Sequence, residues 1–526
     1  MTNNVGMSRR GLLRMIGAAA GAGTMYQAMT TLGVAQESSY KGQIKLGGDP
    51  KGATVLILGA GLAGLVAAFE LRAAGYKVRL LEYREVAGGR CWTMRGGDTY
   101  TELGGFKQDV SFAKGNYFNP GPWRIPYHHH GVMDYCRRLG VELEPFIQVN
   151  QNAYLHSARA FGSRPQRFRH VAADFRGQIS ELLSKAVNQD HLDDAVTGED
   201  KELLLDALRS YGVLDKDYAY VAGPDVSKYR GYDRDPGGGI APDGIPSQTI
   251  APNDLLRSKL WDHLRRNEEY WFQMPMFQPV GGMDMIAKAF EREVGEAIRY
   301  NAKVTAIKQD DDAVTVTYVD RQSGDVLSET ADWCICTIPF SVLSQVETNL
   351  SAPMVKAIGS LPYDGLVKVG LEAKRRFWEE DEQIYGGISY TDLPISQMSY
   401  PSTGYHKPGP AVLLGGYTWG VHAHEFTSLA PEARVRKTLE YASQLHPQLK
   451  TEFLSGVSVA WHRVPWTLGC YGRWQDRNVN YKAAAEFDGR VVMAGEHISQ
   501  LPAWQEGAVL SSLDTVARLH KRVVSG

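Results

Sequence analysis

The sequence predicts an α/β fold in which a parallel sheet is flanked by helices and joined to at least one further lobe. Three observations support this prediction. From Thr54 the chain runs through an apolar strand, an apolar helix and a second strand that ends at Leu81. A glycine-rich turn separates the first strand from the helix. The chain has 526 residues, more than one hydrophobic core usually supports.

The glycine-rich turn has the spacing of a nucleotide-binding loop. Gly59 permits a tight turn, Gly61 lets the backbone approach a pyrophosphate, and Gly64 lets the helix pack closely on the strand. The N-terminus of that helix offers free N–H groups to phosphate. Glu82 follows the second strand about 20 residues on, where a carboxylate accepts hydrogen bonds from ribose hydroxyls. This combination predicts a Rossmann-like dinucleotide-binding domain.

Composition and charge exclude several other classes of protein. The net charge is -2 and 43% of residues are apolar, which argues against a nucleic-acid partner. Five cysteines are too few, and odd in number, for a disulfide framework. The run His128-His129-His130 has no further ligand spacing around it, so we expect no metal site.

The first 35 residues resemble an export signal rather than part of the fold. Ser8-Arg9-Arg10-Gly11-Leu12-Leu13 is a twin-arginine pattern, and an Ala- and Gly-rich run leads to Gly33-Val34-Ala35, which resembles a cleavage site. We therefore expect export by the twin-arginine route to the periplasm or the outside of the cell. No later apolar stretch reaches the roughly 20 residues that span a bilayer, so the mature form should not enter the membrane.

The rest of the chain divides into alternating segments. Helix-like stretches at 203–211 and 254–266 lack strand alternation, whereas strand patterns return at 303–307, 314–319 and 333–338. The predicted organisation is a signal peptide at 1–35, three segments of the nucleotide-binding domain at 36–130, 271–340 and 457–526, a mainly helical insert on the substrate side at 131–270, and a substrate-binding domain at 341–456.

The segment after the second strand identifies the cofactor. Leu81–Arg90, with its Gly88-Gly89-Arg90 ending, resembles the flavin-containing amine oxidase family, in which the glycines approach FAD and the arginine helps to neutralise its pyrophosphate. Two distant segments extend the resemblance: Pro279–Met283 with Val304 beyond it, and Val492–Glu496 followed by Trp504–Val509. The resemblance implies FAD contacts from Gly59, Gly61, Leu62, Ala63, Gly64, Glu82, Tyr83, Gly88, Gly89, Arg90, Gly121, Pro122, Trp123, Arg124, Val304, Gly495, Glu496, Trp504, Gln505, Glu506, Gly507 and Ala508.

Within this family the chain resembles bacterial L-amino acid oxidases most. The segment Gly121–Pro126 carries Arg124, which in those enzymes holds the substrate carboxylate. A guanidinium pairs with a carboxylate through two parallel hydrogen bonds, and a simple amine offers it nothing. Lys368 matches the family lysine that holds a water near flavin N5, so Arg124 and Lys368 are the predicted catalytic residues. Further substrate contacts are expected from Tyr417, Tyr471, Ala503 and Trp504.

The resemblance implies a Rossmann-like FAD-binding domain of the flavin amine oxidase type, a mixed α+β substrate domain and an inserted helical lobe. It also implies hydride transfer from the Cα of an L-amino acid to FAD, with oxygen as the acceptor and a 2-oxo acid, ammonia and hydrogen peroxide as products. Alternatives are a monoamine or polyamine oxidase, an amino acid 2-monooxygenase, and a non-catalytic flavoprotein. We expect non-covalent FAD and a homodimer; a thioether between the flavin and Cys470 is the alternative for the cofactor.

Overall fold

The computed structural model describes residues 39–189 and 197–525. The predicted signal segment at 1–35 lies outside the described residues. The α-helices of the described chain are Leu62–Ala73, His130–Arg138, Phe168–Asn188, Gly198–Gly212, Pro224–Arg230, Pro252–Ser258, Met285–Val294, Phe340–Leu343, Ala352–Gly359, Phe377–Glu380, Gly420–Ser428, Pro431–Leu445, Leu449–Glu452, Asn480–Ala485 and Gln505–Ser525.

A five-stranded parallel sheet forms the centre of the nucleotide-binding domain. Its strands come from distant parts of the chain because later segments add to both sides of the first βαβ unit. The register pairs Leu58 with both Leu81 and Cys336, so these three strands end at the same edge of the sheet. In spatial order the strands are Ile298–Arg299, Lys77–Leu81, Thr54–Leu58, Trp333–Cys336 and Val491–Met493.

Helices and a small sheet cover the two faces of this parallel sheet. One face buries apolar side chains beneath Leu62–Ala73, Met285–Val294 and Gln505–Ser525. The other face packs against an antiparallel sheet that contains Ala302–Gln309 and Val314–Asp320. Strands buried on both faces explain why this part of the sequence reads as continuous apolar runs.

A seven-stranded sheet forms the second lobe. It combines strands from the predicted segments 131–270, 341–456 and 457–526, and its strand Phe453–Ala460 crosses the position 456/457. The reason is hydrogen bonding over long sequence separations: Phe453–Ala460 pairs with Leu366–Ala373, and Tyr154–His156 pairs with Ile388–Thr391. In spatial order the strands are Gln166–Arg167, Tyr154–His156, Ile388–Thr391, Gln397–Ser399, Ala411–Trp419, Leu366–Ala373 and Phe453–Ala460.

A helical lobe lies between these strands in sequence. Its longest helix is Phe168–Asn188, and Gly198–Gly212 packs beside it. The predicted helix at 254–266 is two pieces, Pro252–Ser258 and a 3-10 helix at Leu260–Asn267. Lys259 separates them because its φ of 57° is left-handed and ends the first helix.

A small three-stranded sheet connects the helical lobe to the nucleotide-binding domain. Its central strand, Met276–Pro279, pairs on one side with Ile125–Pro126 and on the other with Leu143–Phe146. Across residues 39–189 and 197–525, no helix combines the length and the apolar character needed to cross a membrane.

We predict that Gly64→Ala destabilises the protein. An added Cβ would lie 2.0 Å from the carbonyl oxygen of Gly59, so the helix would have to move off the sheet. Overpacking of this kind costs at least about 1–3 kcal/mol, which should lower the thermal denaturation midpoint followed by circular dichroism. Gly359→Ala is the control, since its Cβ would meet no atom within 4 Å. Equal losses in both variants would contradict this packing.

Candidate active site

A long cavity of about 770 Å³ runs from the parallel sheet to the seven-stranded sheet. Its first part is lined by Gly61, Glu82 and Gly89 at the carboxyl edge of the parallel strands. Its far part is lined by Trp123, Arg124 and other side chains of the second lobe. A cavity with this volume, an apolar lining and few polar groups is typical of a cofactor and substrate site.

The backbone at the start of the first helix is open toward the cavity. No side chain caps the helix at Gly61, so its first N–H groups have no side-chain acceptor there. A Cβ on Gly61 would meet no protein atom within 4 Å, and its φ of -71° suits any residue. The absence of a side chain at Gly61 therefore serves no packing need and leaves room for a ligand's phosphates.

Glu82 lies at the cavity wall beside this helix start. Its carboxylate accepts hydrogen bonds from the backbone N–H of Ala60 at 2.7 Å and of Arg84 at 2.9 Å. Burial raises the pKa of Glu82, and these two hydrogen bonds oppose that rise. The carboxylate has lone pairs left for ribose hydroxyls, so its position fits an adenosine ribose.

Arg90 and Glu496 form an ion pair at the cavity wall. The Nη1 atom of Arg90 donates to Glu496 Oε1 at 2.6 Å and to the carbonyl oxygen of Cys470 at 2.7 Å. Burial alone lowers the pKa of Arg90, but the adjacent Glu496 raises it above its ordinary value. Glu496 also accepts from the N–H of Ala503 at 3.0 Å, which ties the pair to the segment before the last helix.

These residues fit FAD. The open helix start would hold the pyrophosphate, Glu82 the ribose, and the region of Cys470 and Trp504 the flavin ring. Burial raises the pKa of the Cys470 thiol to about 12, so the thiol stays neutral at the cavity wall.

Arg124 reaches the far part of the cavity without a carboxylate partner. Its Nη1 atom donates to Gln148 Oε1 at 2.8 Å, and its guanidinium lies 4.6 Å from the Phe272 ring centroid. Within 39–189 and 197–525 no carboxylate pairs with it. The titratable groups that interact with its charge are Tyr390, Tyr417, Arg266 and Lys368. Burial lowers the pKa of Arg124, and an anionic ligand would relieve that cost.

Aromatic side chains surround Arg124 on several sides. The rings of Trp123 and Tyr417 meet edge to face, with centroids 5.6 Å apart. Tyr417 also contacts Trp419, which lies two residues along the same strand, and their ring centroids are 3.9 Å apart. Burial raises the pKa of Tyr417 far above its ordinary value, so its hydroxyl stays protonated and can donate a hydrogen bond. Trp504 and Tyr471 line the same cavity.

Lys368 lies one layer behind this wall. It is 1% exposed, its ammonium group donates to the carbonyl oxygen of Gly121, and it lies 4.5 Å from the ring centroid of Tyr417 and 4.7 Å from that of Trp123. Burial lowers the pKa of Lys368 to about 7, with the charge of Arg124 acting in the same direction. Lys368 therefore titrates near neutral pH, within contact of three residues that line the cavity.

The structure brings most of the predicted site residues to the cavity wall. Four of them lie outside it: Gly64, Lys368, Glu506 and Gly507. Gly64 and Gly507 allow close backbone packing, since a Cβ on Gly507 would lie 2.1 Å from the carbonyl oxygen of Leu501. The residues at the wall are Gly59, Gly61, Leu62, Ala63, Glu82, Tyr83, Gly88, Gly89, Arg90, Gly121, Pro122, Trp123, Arg124, Val304, Tyr417, Tyr471, Gly495, Glu496, Ala503, Trp504, Gln505 and Ala508.

Glu506 uses its carboxylate on a neighbouring helix. The backbone N–H groups of Gly131 and Val132 each donate to it at 2.9 Å. These N–H groups belong to the first turn of His130–Arg138, where helix donors have no partner within the helix. Glu506 thus joins the first turn of this helix to that of the last helix.

Sequence reasoning missed several residues of the cavity. Trp419 could have been found from Tyr417, because residues two apart on a strand share a face. Phe272, Trp461 and Trp466 also line the cavity, but they have no spacing that marks them. Among residues 39–189 and 197–525, no three His, Cys, Asp or Glu side chains come close enough together to hold a metal ion.

The chain matches the family of flavin containing amine oxidoreductases over residues 62–520, and it belongs to this family. It is an FAD-dependent oxidoreductase that acts on amino groups. A putative L-amino-acid oxidase, YobN, of Bacillus subtilis (strain 168) is 31% identical over 476 residues, covering 87% of this chain and 93% of that protein. The flavin-dependent L-tryptophan oxidase RebO of Lentzea aerocolonigenes is 29% identical, covering 88% of this chain and 97% of that protein.

A solved structure of putrescine oxidase bound to putrescine has the same fold. The TM-score is 0.58 at 16% identity, and the match covers 89% of this chain and 99% of that chain. The predicted fold class is therefore confirmed: an FAD-binding domain of the flavin amine oxidase type, with a second mixed lobe and a helical insert.

We predict that Gly61→Ala weakens FAD binding without destabilising the apoprotein. The new methyl group would meet no protein atom but would occupy space at the helix start. We expect FAD affinity, measured by titrating apoprotein and following flavin fluorescence, to fall at least about tenfold. The denaturation midpoint of the apoprotein should match that of the wild type. A variant that retains wild-type FAD affinity would show that phosphates do not approach Gly61.

The lowered pKa of Lys368 predicts a pH-dependent stability difference from Lys368→Met. Below about pH 7 the folded protein must hold a buried ammonium, whereas above that pH it holds a neutral amine. The unfolded chain keeps Lys368 protonated up to about pH 10.4. The wild type should therefore gain stability relative to Lys368→Met as pH rises from about 7 to 10. Thermal denaturation of both proteins at matched pH values tests this, and a constant difference would contradict it.

Proposed function

We propose that the protein is an L-amino acid oxidase, which forms 2-oxo acids, ammonia and hydrogen peroxide from L-amino acids, water and oxygen. The observation that carries the proposal is Arg124, a cavity-lining cation that no carboxylate of the described chain neutralises. The amino acid oxidase names of the two relatives support the same substrate class.

The electrostatics at Arg124 favour a substrate that carries a carboxylate. An enclosed charge without a partner is costly, and a bound carboxylate offsets that cost through charge-assisted hydrogen bonds. A simple amine would leave the guanidinium unpaired in a largely apolar cavity. Sites built to pair a polar group reject analogues that lack it by large factors.

The aromatic side chains of the cavity complete the proposed substrate site. Tyr417 retains its proton and offers a second donor to the carboxylate, because its hydroxyl lies in the same region as Arg124. Trp504 and Tyr471 are positioned to confine the substrate between flat surfaces and leave an apolar space for its side chain. FAD, when bound, would supply the redox chemistry of hydride acceptance and reoxidation by oxygen, while these side chains bind and orient the substrate.

The proposal is tested by mixing the purified yellow protein anaerobically with a panel of L-amino acids and with the amines that lack their carboxylates. We expect L-amino acids alone to bleach the flavin absorbance, and readmitted air to restore it with release of peroxide. Bleaching by amines alone would assign the protein to the monoamine or polyamine oxidases. An amide and carbon dioxide as products would make it an amino acid 2-monooxygenase, and no bleaching would leave a non-catalytic flavoprotein.

We predict that Arg124→Met lowers kcat/KM for L-amino acids roughly hundredfold to thousandfold, because it removes the carboxylate's charged partner. Methionine keeps most of the side-chain volume. Turnover of the matching amine should not fall, so the preference for amino acids should disappear. The control is FAD content, which should match the wild type. Equal losses for both substrates would instead indicate general damage to the cavity.

We further propose that FAD is held non-covalently, that the protein is exported by the twin-arginine route, and that it forms a homodimer. The neutral Cys470 thiol supports the first point, and the Ser8–Leu13 motif supports the second. Dimerisation rests on resemblance to L-amino acid oxidases. Non-covalent binding is tested by acid precipitation, which should leave the flavin in the supernatant. Export is tested by sequencing the N-terminus of the mature protein. Dimerisation is tested by measuring the mass of the protein in solution.

A further inference from the structure

Arg124 is attached to a buried chain of neutral polar groups. Gln148 is 2% exposed and accepts from Arg124 Nη1 through its amide oxygen at 2.8 Å. Its amide nitrogen faces the hydroxyl of Tyr390 at 3.4 Å, and Tyr390 is 3% exposed. The Gln148 amide therefore contacts the guanidinium through its oxygen and the Tyr390 phenol through its nitrogen. Inverting the amide would turn its NH₂ group toward a cation, so this orientation is the favourable one.

Rigid elements hold both ends of this chain. Arg124 precedes Ile125–Pro126 and Gln148 follows Leu143–Phe146, two strands that pair with opposite sides of Met276–Pro279. Tyr390 lies inside the strand Ile388–Thr391 of the seven-stranded sheet. Arg124 lies directly before one paired strand and Gln148 two residues after another, so their backbones are held more firmly than those of residues in a free loop. The hydrogen bond from Arg124 Nη1 to Gln148 therefore fixes the orientation of the guanidinium.

The charge of the group at position 148 matters as much as its position. An amide orients Arg124 through a hydrogen bond but leaves its unit charge uncompensated. A carboxylate of the same size would form an internal ion pair and compete with any incoming anion. Arg266, and Lys368 when it is protonated, add positive charge that acts on Arg124, and the remaining groups that act on it are the neutral phenols Tyr390 and Tyr417.

We propose that Gln148 is a positioning residue that aims Arg124 at the substrate carboxylate and keeps it uncompensated, and that it thereby sets the preference for amino acids over amines. This inference rests on the proposed function. Gln148 does not line the cavity and so contacts no substrate itself. Its effect should appear in the affinity for carboxylates more than in the limiting rate of reduction.

Two variants separate orientation from charge. Gln148→Glu keeps the size and adds the competing carboxylate, whereas Gln148→Met removes the hydrogen bond and adds no charge. Gln108→Glu is the matched control, because Gln108 is a buried amide bonded to the main chain of Ser458 and outside the cavity wall. FAD content and the denaturation midpoint of each holoenzyme report whether it is folded.

Benzoate, a carboxylate without an amine, is titrated into each holoenzyme and followed by the change in flavin absorbance. We expect Gln148→Glu to raise the Kd for benzoate roughly tenfold to hundredfold, the range expected for a lost charge-assisted hydrogen bond. The ratio of kcat/KM for an L-amino acid to that for its amine should fall by a similar factor. Gln148→Met should show a smaller change of the same sign, and Gln108→Glu none.

The negative results for this inference and for the proposed function are distinguishable. A wild type that L-amino acids reduce, combined with a Gln148→Glu variant whose benzoate Kd and substrate ratio are unchanged, overturns this inference and leaves the proposed function standing. Equal shifts in Gln148→Glu and Gln108→Glu also overturn it. A wild type that no L-amino acid reduces overturns the proposed function itself.

Discussion

The contact between Gly64 and the carbonyl oxygen of Gly59 determines where the first helix starts relative to the parallel sheet. A Cβ at Gly64 would lie 2.0 Å from that oxygen, so only glycine allows the helix to approach this closely. The close approach places uncapped N–H groups and Glu82 along one edge of the sheet. The first part of the cavity and the ion pair of Arg90 with Glu496 lie around that edge.

The site combines few charges with many aromatic surfaces. Arg90 and Arg124 line the same cavity, but Arg90 pairs with the carboxylate of Glu496, whereas among the described residues Arg124 donates to the neutral amide of Gln148. This difference divides the cavity into a compensated part near the parallel sheet and an uncompensated part near the second lobe. A protein needs few such groups for specificity, because one unpaired charge in an apolar environment outweighs many weak contacts.

Local sequence predicts those parts of the fold that depend on local geometry. The turn at Gly59–Gly64 and the strand to Leu81 could be predicted because their constraints lie within a few residues. The edges of the second lobe could not, since Phe453–Ala460 joins its sheet through pairing with Leu366–Ala373. Gln148 could not be predicted either: nothing within its own segment shows that Arg124 and Tyr390 will lie at its two ends. The family resemblance predicted the role of Arg124, whereas its contact with Gln148 is seen only in the tertiary structure.

The order of strands in the parallel sheet has a consequence for biosynthesis. The FAD-binding part of the cavity needs Val491–Met493, Gly495, Glu496 and the helix Gln505–Ser525, which follow all its other elements in the sequence. A growing chain on the ribosome therefore makes the first βαβ unit more than 400 residues before it makes these elements. A ribosome-bound fragment that ends before residue 490 has no complete site for the cofactor.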